Sequence, residues 1–297
     1  MQNAASVKRR KFLKYNPRKR LSRSRFGNFM VLICLALFSA FMILPLVYAV
    51  VQSLKPMEEI FAFPPKFYVR NPTFDNFKQM FKLANNLSVP FLRYLSNSLF
   101  VSVITTALYV VVASLAAYPL AKANYKGVKI ISRLIVVAML FRGEVTAIPR
   151  YIIIAKLGMI DTYWSIIIPA LAATMGVYLV QQFIVTAVSD STLEAARIDG
   201  AGEYKIFFSI VLPSIKPAIL TMIIFTFQGI WNDTGTNFIF SENLKQLPAV
   251  LSSISSGGLA RSGASAAVSV VLMIPPILVF LYSQSSIMDT MSHSGLK

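Results

Sequence analysis

Four long apolar stretches divide the chain, and none of them contains an Asp, Glu, Lys or Arg residue. They are Phe29–Val51, Tyr94–Ala121, Tyr163–Val188 and Ser262–Met288. The hydrocarbon core of a bilayer is about 30 Å thick, so about 20 helical residues are needed to cross it. Each stretch is therefore predicted to be a transmembrane helix.

Two weaker stretches complete the pattern. The first, Leu134–Ile154, is apolar but carries the charged residues Arg142, Glu144 and Arg150. The second, Pro217–Trp231, is shorter. The prediction is an all-α integral membrane protein with six transmembrane helices, whose two termini lie on the same side of the membrane.

Composition agrees with this class. The chain of 297 residues is 56% hydrophobic and only 14% charged, against about 25% charged in soluble domains. In a soluble protein, its formal net charge of +17 would suggest nucleic-acid binding. However, ten of the 29 basic residues lie between Lys8 and Arg25, just before the first apolar stretch. That position is typical of a cytoplasmic anchor that faces anionic lipid.

The distribution of basic residues also predicts the orientation, because cytoplasmic loops carry an excess of Lys and Arg. The predicted inner segments hold eighteen: the ten in the tail, Lys122, Lys126, Lys129, Arg133, Arg197, Lys205, Lys216 and Lys297. The predicted outer segments hold nine: Lys55, Lys66, Arg70, Lys78, Lys82, Arg93, Lys156, Lys245 and Arg261. Residues 1–27 and 289–297 are therefore expected to be cytoplasmic tails around a membrane domain at 28–288.

Residues that could perform covalent chemistry are scarce. Cys34 is the single cysteine and His293 the single histidine, so an intrachain disulfide or a cysteine-based zinc site is excluded. No nucleophile–base pair or metal cluster stands out in the sequence. We expect no catalytic residue, no bound metal and no cofactor on this chain.

A polar loop at about 189–216, between the fourth and fifth predicted spans, carries a spaced pattern. It reads Glu194-Ala195-Ala196, then Gly200, then Ile210-Val211-Leu212-Pro213. Ser191 and Glu194 fit a capping box at the start of a helix. Gly200 can end that helix, and a second helix is expected from about Glu203 toward Leu212.

This loop resembles the ATPase-docking loop in the membrane-spanning subunits of binding-protein-dependent ABC importers. The resemblance implies that the loop forms a cytoplasmic coupling helix between spans four and five. It also implies partners: a second, homologous permease, two ATPase subunits that hold ATP and Mg²⁺, and an extracytoplasmic solute-binding protein. The implied coupling residues are Glu194, Ala195, Ala196, Asp199, Gly200, Ile210, Leu212 and Pro213.

Other segments are similar to the carbohydrate-uptake branch, and most of all to the second permease of maltose-type transporters. They are Asn71–Phe77, Leu157–Trp164, Ala195–Ala201 and Phe225–Asp233. The resemblance implies import of a sugar or oligosaccharide across the cytoplasmic membrane of a prokaryote. The chain departs from the pattern at Arg142 and Glu144, where the family has small or neutral residues.

Charged residues are costly within a span, so Arg142 and Glu144 are expected to face a hydrated cavity or a partner subunit. One interpretation is structural pairing across the interface between the two permeases. The other is contact with a hydroxyl-rich or acidic sugar in the pathway, together with Trp231, Asn232 and Asp233. The residues themselves do not decide between the two.

Three rival functions stay open at this point. An importer for a non-sugar solute would keep the same loop, whereas a secondary transporter would show paired broken helices in internal repeats. An integral-membrane enzyme would require paired carboxylates or histidines at the membrane face. The proline-rich outer segment from Lys55 to Arg93 is either a rigid connector or a surface for the binding protein.

Overall fold

The computed structural model describes the backbone of residues 25–86, 88–141 and 143–294, and the side chains of residues 26–86, 88–141 and 143–284. Within these ranges the chain forms helices, turns and loops, without a strand. The helices are α1 (Arg25–Leu54), α2 (Met57–Ile60), α3 (Asp75–Asn85), α4 (Phe91–Lys122), α5 (Lys126–Ala138), α6 (Gly143–Lys156), α7 (Trp164–Leu171), α8 (Thr174–Ala187), α9 (Asp190–Ile198), α10 (Glu203–Ile206), α11 (Leu212–Ser214), α12 (Lys216–Trp231), α13 (Leu247–Ser255) and α14 (Ser262–Ser294). A π-helical turn, Phe207–Val211, joins α10 to α11.

The chain divides into two units. The first ends at Tyr48, and its described part belongs to the apolar helix α1. The second begins at Ala49 and contains the remaining helices.

Four helical segments of the described chain are long and apolar enough to cross a membrane. They are Phe26–Leu54, Phe91–Lys122, Trp164–Ala187 and Leu259–Gln284. A fifth results if Glu203–Ser214 and Lys216–Trp231, which meet at an angle of 77°, count as one bent span. Each uncharged stretch of the sequence therefore coincides with such a segment.

The third predicted span is not one continuous helix. Instead of a single helix over Leu134–Ile154, the chain forms α5 and α6 with a turn at 139–141 between them. In this turn the amide of Phe141 donates to the carbonyl oxygen of Ala138, a bond that is tighter than the α-helical type. Gly143, a poor helix former in a helix interior, then opens α6. The break thus lies next to Arg142, Gly143 and Glu144, the residues that interrupt the apolar stretch in the sequence.

The proline-rich segment after α1 contains only short helices in its described part, as its prolines predict. Asn76 on α3 connects it to the end of α1, because its side-chain amide donates to the carbonyl oxygens of Ser53 (2.9 Å) and Lys55 (2.7 Å). The last carbonyls of a helix lack partners within that helix. The buried amide of Asn76 therefore stabilises the point at which α1 ends.

Helix α4 lies at the centre of the second unit and packs against α5, α7, α8, α12 and α13. Many of its buried side chains are small or weakly polar: Ser98, Ser102, Thr105, Thr106, Ala113, Ser114 and Ala117. Small residues allow the backbones of neighbouring helices to approach closely within a membrane. A second core, around Tyr94 and Trp231, joins α4 and α12 to α3, α13 and α14.

The fourth predicted span is broken between α7 and α8, and Tyr109 of α4 bonds to both sides of this break. The tyrosine hydroxyl donates to the carbonyl oxygen of Ala173 (2.7 Å) and accepts from the amide of Gly176 (2.9 Å). Gly176 lies in the first turn of α8, where backbone amides lack partners within the helix. One buried hydroxyl therefore satisfies backbone groups on both sides of the break.

This contact requires glycine at position 176. A Cβ atom there would lie 2.8 Å from the sulfur of Met222 and would collide with the hydroxyl of Tyr109. We expect Gly176→Ala to destabilise the protein by about 1–3 kcal/mol through overpacking, measured as a lower melting temperature in detergent. Gly229→Ala is the matched control, because a Cβ atom at that helical glycine meets nothing within 4 Å. Equal melting temperatures for the two variants would contradict the proposed contact.

Candidate functional site

The polar loop between the fourth and fifth predicted spans folds into two short helices, and the first begins earlier than predicted. Ser189, not Ser191, caps α9: its side-chain oxygen accepts from the amide of Thr192 at 3.3 Å. The predicted capping box is therefore wrong. Glu194 lies five residues after the cap, too far along the helix to reach back to it, and its side chain is exposed.

Gly200 ends the first helix as predicted. Its φ is +78°, in the left-handed region that glycine adopts without a steric penalty. The amide of Gly200 donates to the carbonyl oxygen of Arg197 (3.0 Å), and the amide of Ala201 donates to that of Ala196 (3.0 Å). These two bonds are those of a Schellman motif, which satisfies the free carbonyls at a helix end. The motif fixes the direction in which the chain leaves Ala195-Ala196.

The second helical stretch follows from Glu203 to Ser214 and includes a π-helical turn. Pro213 lacks an amide hydrogen, and the chain bends by 77° between this stretch and α12. Of the predicted motif residues, Ile210 and Leu212 are half-buried and Pro213 is exposed. The stretch is anchored instead by Ile206, Phe207, Val211 and Ile215, which belong to a buried cluster with Tyr109 and Ile184.

The same loop exposes several large apolar side chains. Ile198 is 86% exposed, Tyr204 80% and Phe208 58%, and Ala195 and Asp199 are also exposed. We call Ala195, Ile198, Asp199, Tyr204 and Phe208 the exposed loop surface. Apolar side chains that a polar loop leaves in the open are typical of a protein–protein contact.

Glu203 connects the loop to the end of α4. One carboxylate oxygen accepts from the hydroxyl of Tyr118 at 2.7 Å, and the other accepts from the guanidinium of Arg197 at 2.7 Å. Tyr118 is on α4 and Arg197 on α9, so this carboxylate joins three helices. The side chain of Leu115 and the ring of Phe207 line a cavity of about 540 Å³ beside this junction.

Lys122, the last residue of α4, makes a second connection. Its ammonium group donates to the carbonyl oxygen of Val188 and to a carboxylate oxygen of Asp190, both at 2.7 Å. Val188 ends α8 and Asp190 begins α9. The end of α4 thus contacts the residues on both sides of Ser189, where the chain passes from the fourth span into the loop.

The predicted pathway residues do not form one cluster in the described structure. Trp231 is fully buried in the core, where its ring stacks on Phe227 with centroids 6.0 Å apart. Its indole N–H donates to the carbonyl oxygen of Leu272 at 3.0 Å. Pro276, four residues further on, has no amide hydrogen to offer that carbonyl. Trp231 therefore stabilises α14 at its proline pair and presents no exposed surface to a solute.

The other predicted pathway residues make local contacts or lie apart. Asn232 donates its side-chain amide to the carbonyl oxygen of Gln228, and Asp233 accepts from the amide of Gly235, both at 2.9 Å. Glu144 is exposed in the first turn of α6. Arg142 lies outside the described residues, so its pairing with Glu144 stays a prediction.

The conspicuous segment at Leu157–Trp164 forms a rigid junction that the sequence alone did not reveal. Asp161 has a φ of +60°, and its carboxylate accepts from the amides of Phe240 (2.9 Å) and Ser241 (2.8 Å) and from the hydroxyl of Ser241. The Ser241 hydroxyl first, and then the two amides, lower the pKa of Asp161. The residue thus holds together two loops that lie far apart in sequence.

A cluster around Phe238 was also not predicted. Arg150 places its guanidinium 5.8 Å from the centroid of the Phe238 ring, and Tyr151 stacks near that ring at 6.1 Å. The charge of Arg150 within an apolar run was a visible signal. Its proximity to Phe238 was not, because nothing in the local pattern links the two positions.

Comparisons with known proteins place the chain in context. No protein-family model matches it. It is 34% identical over 199 residues to Protein LplC of Bacillus subtilis, an alignment that covers 65% of this chain and 63% of LplC, less than two thirds of that relative's length. It is 31% identical to the arabinooligosaccharides transport system permease protein AraQ of B. subtilis, over 91% of this chain and 93% of AraQ.

Two solved structures share the fold. One is a bacterial ABC transporter involved in the import of the acidic polysaccharide alginate, with a TM-score of 0.71 and 21% identity over 90% of this chain and 99% of that one. The other is the bacterial alginate ABC transporter in complex with an alginate pentasaccharide-bound periplasmic protein, with a TM-score of 0.57 and 16% identity over 87% of this chain and 92% of that one.

The junction at Glu203 generates a prediction about local stability. Glu203→Gln removes the charge that pairs with Arg197 and leaves one acceptor oxygen where the carboxylate offers two. We expect hydrogen–deuterium exchange in peptides that cover 190–206 to become faster, because the loop loses an ion pair. An exposed ion pair contributes no more than about 1 kcal/mol, so the increase should be several-fold rather than larger. Glu194→Gln makes the same change in the same loop, where the described structure gives Glu194 no hydrogen bond or ion pair. Similar exchange in both variants would show that Glu203 does not hold the loop.

Proposed function

Because the chain belongs to the family of membrane-spanning permease subunits of sugar-importing ABC transporters, we propose that it forms half of the translocation pathway for an oligosaccharide. In this proposal it couples transport to a separate cytoplasmic ATPase. The observation that carries the proposal is the loop at 189–216, which buries one set of side chains and exposes another. The exposed loop surface offers apolar contacts to a partner, while Leu193 and Ile206 fix its position.

The proposed coupling path begins at α9. This helix docks on an ATPase through Ala195, Ile198 and the Schellman turn at Gly200, and the ATPase moves it when it binds and hydrolyses ATP. Since α9 contacts the end of α4 through Glu203 and Lys122, and leads into α12 at the 77° bend, its displacement acts on two helices of the core. The exposed motif residues Glu194 and Asp199 belong to the contact, whereas half-buried Ile210 and Leu212 support it.

The proposed topology has six spans and both termini in the cytoplasm. Five spans are the four long segments and α12, and α5 with α6 forms the sixth as a broken span. The excess of basic residues on one side supports this orientation. The proposed organisation is a tail at 1–27, a permease domain at 28–288 with the coupling loop at 189–216, and a short cytoplasmic tail at 289–297.

The proposed substrate is an oligosaccharide, and the names of the relatives support it. AraQ is named for arabinooligosaccharides, and another relative in B. subtilis is named for polygalacturonan and rhamnogalacturonan. The proposed partners are a second permease, two ATPase subunits that bind ATP and Mg²⁺, and an extracytoplasmic binding protein. The complex of the alginate transporter with its periplasmic protein supports the last of these.

The topology is tested by labelling single cysteines with a membrane-impermeant maleimide in intact cells, in a Cys34→Ser background. We expect cysteines at positions 161 and 242 to react from outside, and cysteines at positions 126 and 203 to react only after permeabilisation. Reaction of position 203 in intact cells would rule out both the orientation and the coupling role of the loop.

The coupling role is tested at Gly200, where asparagine tolerates the left-handed backbone better than other side chains. Gly200→Asn adds a side chain to the exposed turn, where a Cβ atom meets nothing within 4 Å in this chain. We expect a normally expressed permease that loses at least about tenfold in oligosaccharide uptake and retains less ATPase on co-purification. Gly158→Asn is the matched control, because Gly158 also has a positive φ (+66°) and open space around it. Normal uptake by Gly200→Asn would refute the docking role.

A further inference from the structure

A cleft with a cavity of about 300 Å³ opens between α6 and the segment that follows α12. Its lining residues are Ala147, Ile148, Arg150, Tyr151, Asn237 and Phe238. This volume is at the lower end of the range for small-molecule sites. None of the lining residues is acidic, and the cleft combines a guanidinium, an amide and two aromatic rings.

The two rings give the cleft a flat apolar wall. Tyr151 and Phe238 lie nearly parallel, with an interplanar angle of 19° and centroids 6.1 Å apart. Phe238 is 9% exposed and Tyr151 42% exposed. Rigid rings provide apolar contact area at low entropic cost. A wall of this kind suits the C–H face of a pyranose ring.

Arg150 supplies a positive charge without an acidic partner. Its guanidinium lies 5.8 Å from the centroid of the Phe238 ring, and no ion pair found among the described side chains includes it. A charge in an apolar helix of a membrane protein faces a hydrated cavity or pairs with another group. The planar fork of a guanidinium matches a carboxylate through two parallel hydrogen bonds. Arg150 is therefore equipped to bind an anionic group that enters the cleft.

Asp161 holds the Phe238 side of the cleft in place. Its amide donates to the carbonyl oxygen of Phe238 at 2.8 Å, and its carboxylate accepts from the amides of Phe240 and Ser241. The segment that carries Asn237 and Phe238 is thus fixed from a separate loop. Binding sites gain affinity when their side chains are positioned before the ligand arrives.

We propose that this cleft binds a uronate residue of an acidic oligosaccharide. Arg150 binds the carboxylate, Asn237 hydrogen-bonds to ring hydroxyls, and the exposed ring of Tyr151, backed by the buried ring of Phe238, contacts the apolar face of the sugar. The proposal rests on the proposed function and narrows its substrate class from oligosaccharides in general to those that carry carboxylates. A carboxylate on the second permease is the rival partner for Arg150.

The test uses the whole complex, purified with its second permease and ATPases and reconstituted in nanodiscs without a binding protein. The probes are trigalacturonate and maltotriose, which have equal numbers of rings but differ in charge, titrated at constant ionic strength by calorimetry. For the parent complex we expect saturable binding of trigalacturonate. Arg150→Gln should weaken that binding by at least about tenfold and leave maltotriose unchanged, whereas Arg150→Lys should retain part of it. Lys156→Gln is the matched control, because it removes one positive charge from the same helix outside the cleft, and should change binding by less than about twofold.

Four results would overturn the proposal. If the parent complex does not bind trigalacturonate, an acidic-sugar site is excluded. The same holds if the Arg150→Gln complex binds trigalacturonate as tightly as the parent complex. An equal loss for both sugars would show that the cleft does not select charge. Loss of the second permease from the Arg150→Gln complex would assign Arg150 to the subunit interface. All four would leave the proposed importer function intact, because Gly200→Asn and the topology labelling test that function separately.

Discussion

The architecture depends on side chains that satisfy backbone groups where apolar helices break or end. Water is absent from the hydrocarbon core of a bilayer, so an unpaired carbonyl or amide there costs several kcal/mol. Tyr109 bonds both sides of the break between α7 and α8. Trp231 donates to the carbonyl of Leu272 that Pro276 leaves without a partner. Gln181 donates to the carbonyl of Leu120 near the end of α4. The buried polar residues of this domain thus allow its helices to be bent without exposing unpaired backbone.

The same requirement explains how the loop at 189–216 is joined to the core. Lys122 caps the end of α8 through the carbonyl of Val188, and the same ammonium pairs with Asp190 at the start of α9. A residue that completes the backbone of one helix therefore also positions the next. In the proposed importer, a displacement of α9 changes this capping bond directly. The ammonium group of Lys122 consequently serves both helix termination and the proposed coupling.

The local sequence pattern predicted some features of the structure correctly and others wrongly. The uncharged stretches and the turn at Gly200 were predicted correctly, since each follows from composition or from the conformational freedom of glycine. The cap at Ser191 was wrong because Ser189 offers the same chemistry two residues earlier, and sequence does not rank equivalent caps. The third predicted span is not one continuous helix, because a turn at 139–141 and Gly143 separate α5 from α6. Trp231 was assigned to the pathway from its aromatic ring and its place at the end of the fifth predicted span, whereas its indole N–H bonds to α14, which is distant in sequence. The contact between Arg150 and Phe238 could not be predicted either, because the two residues lie far apart in the sequence.

The two ends of helix α4 make different polar contacts, and this difference determines which end responds first to a displacement of α9. Near its first turns, Asn97 donates to the carbonyls of Asn243 and Lys245, a bonding pattern that ties the helix to a long loop. At its other end, Lys122 pairs with the exposed carboxylate of Asp190 on α9, and the Tyr118 hydroxyl donates to the exposed carboxylate of Glu203 on α10. Polar contacts to carboxylates that face solvent contribute little stability, whereas buried amide contacts are costly to break. A force applied at α9 would therefore alter the contacts at the Lys122 end first, while the Asn97 end moves with its loop as one body.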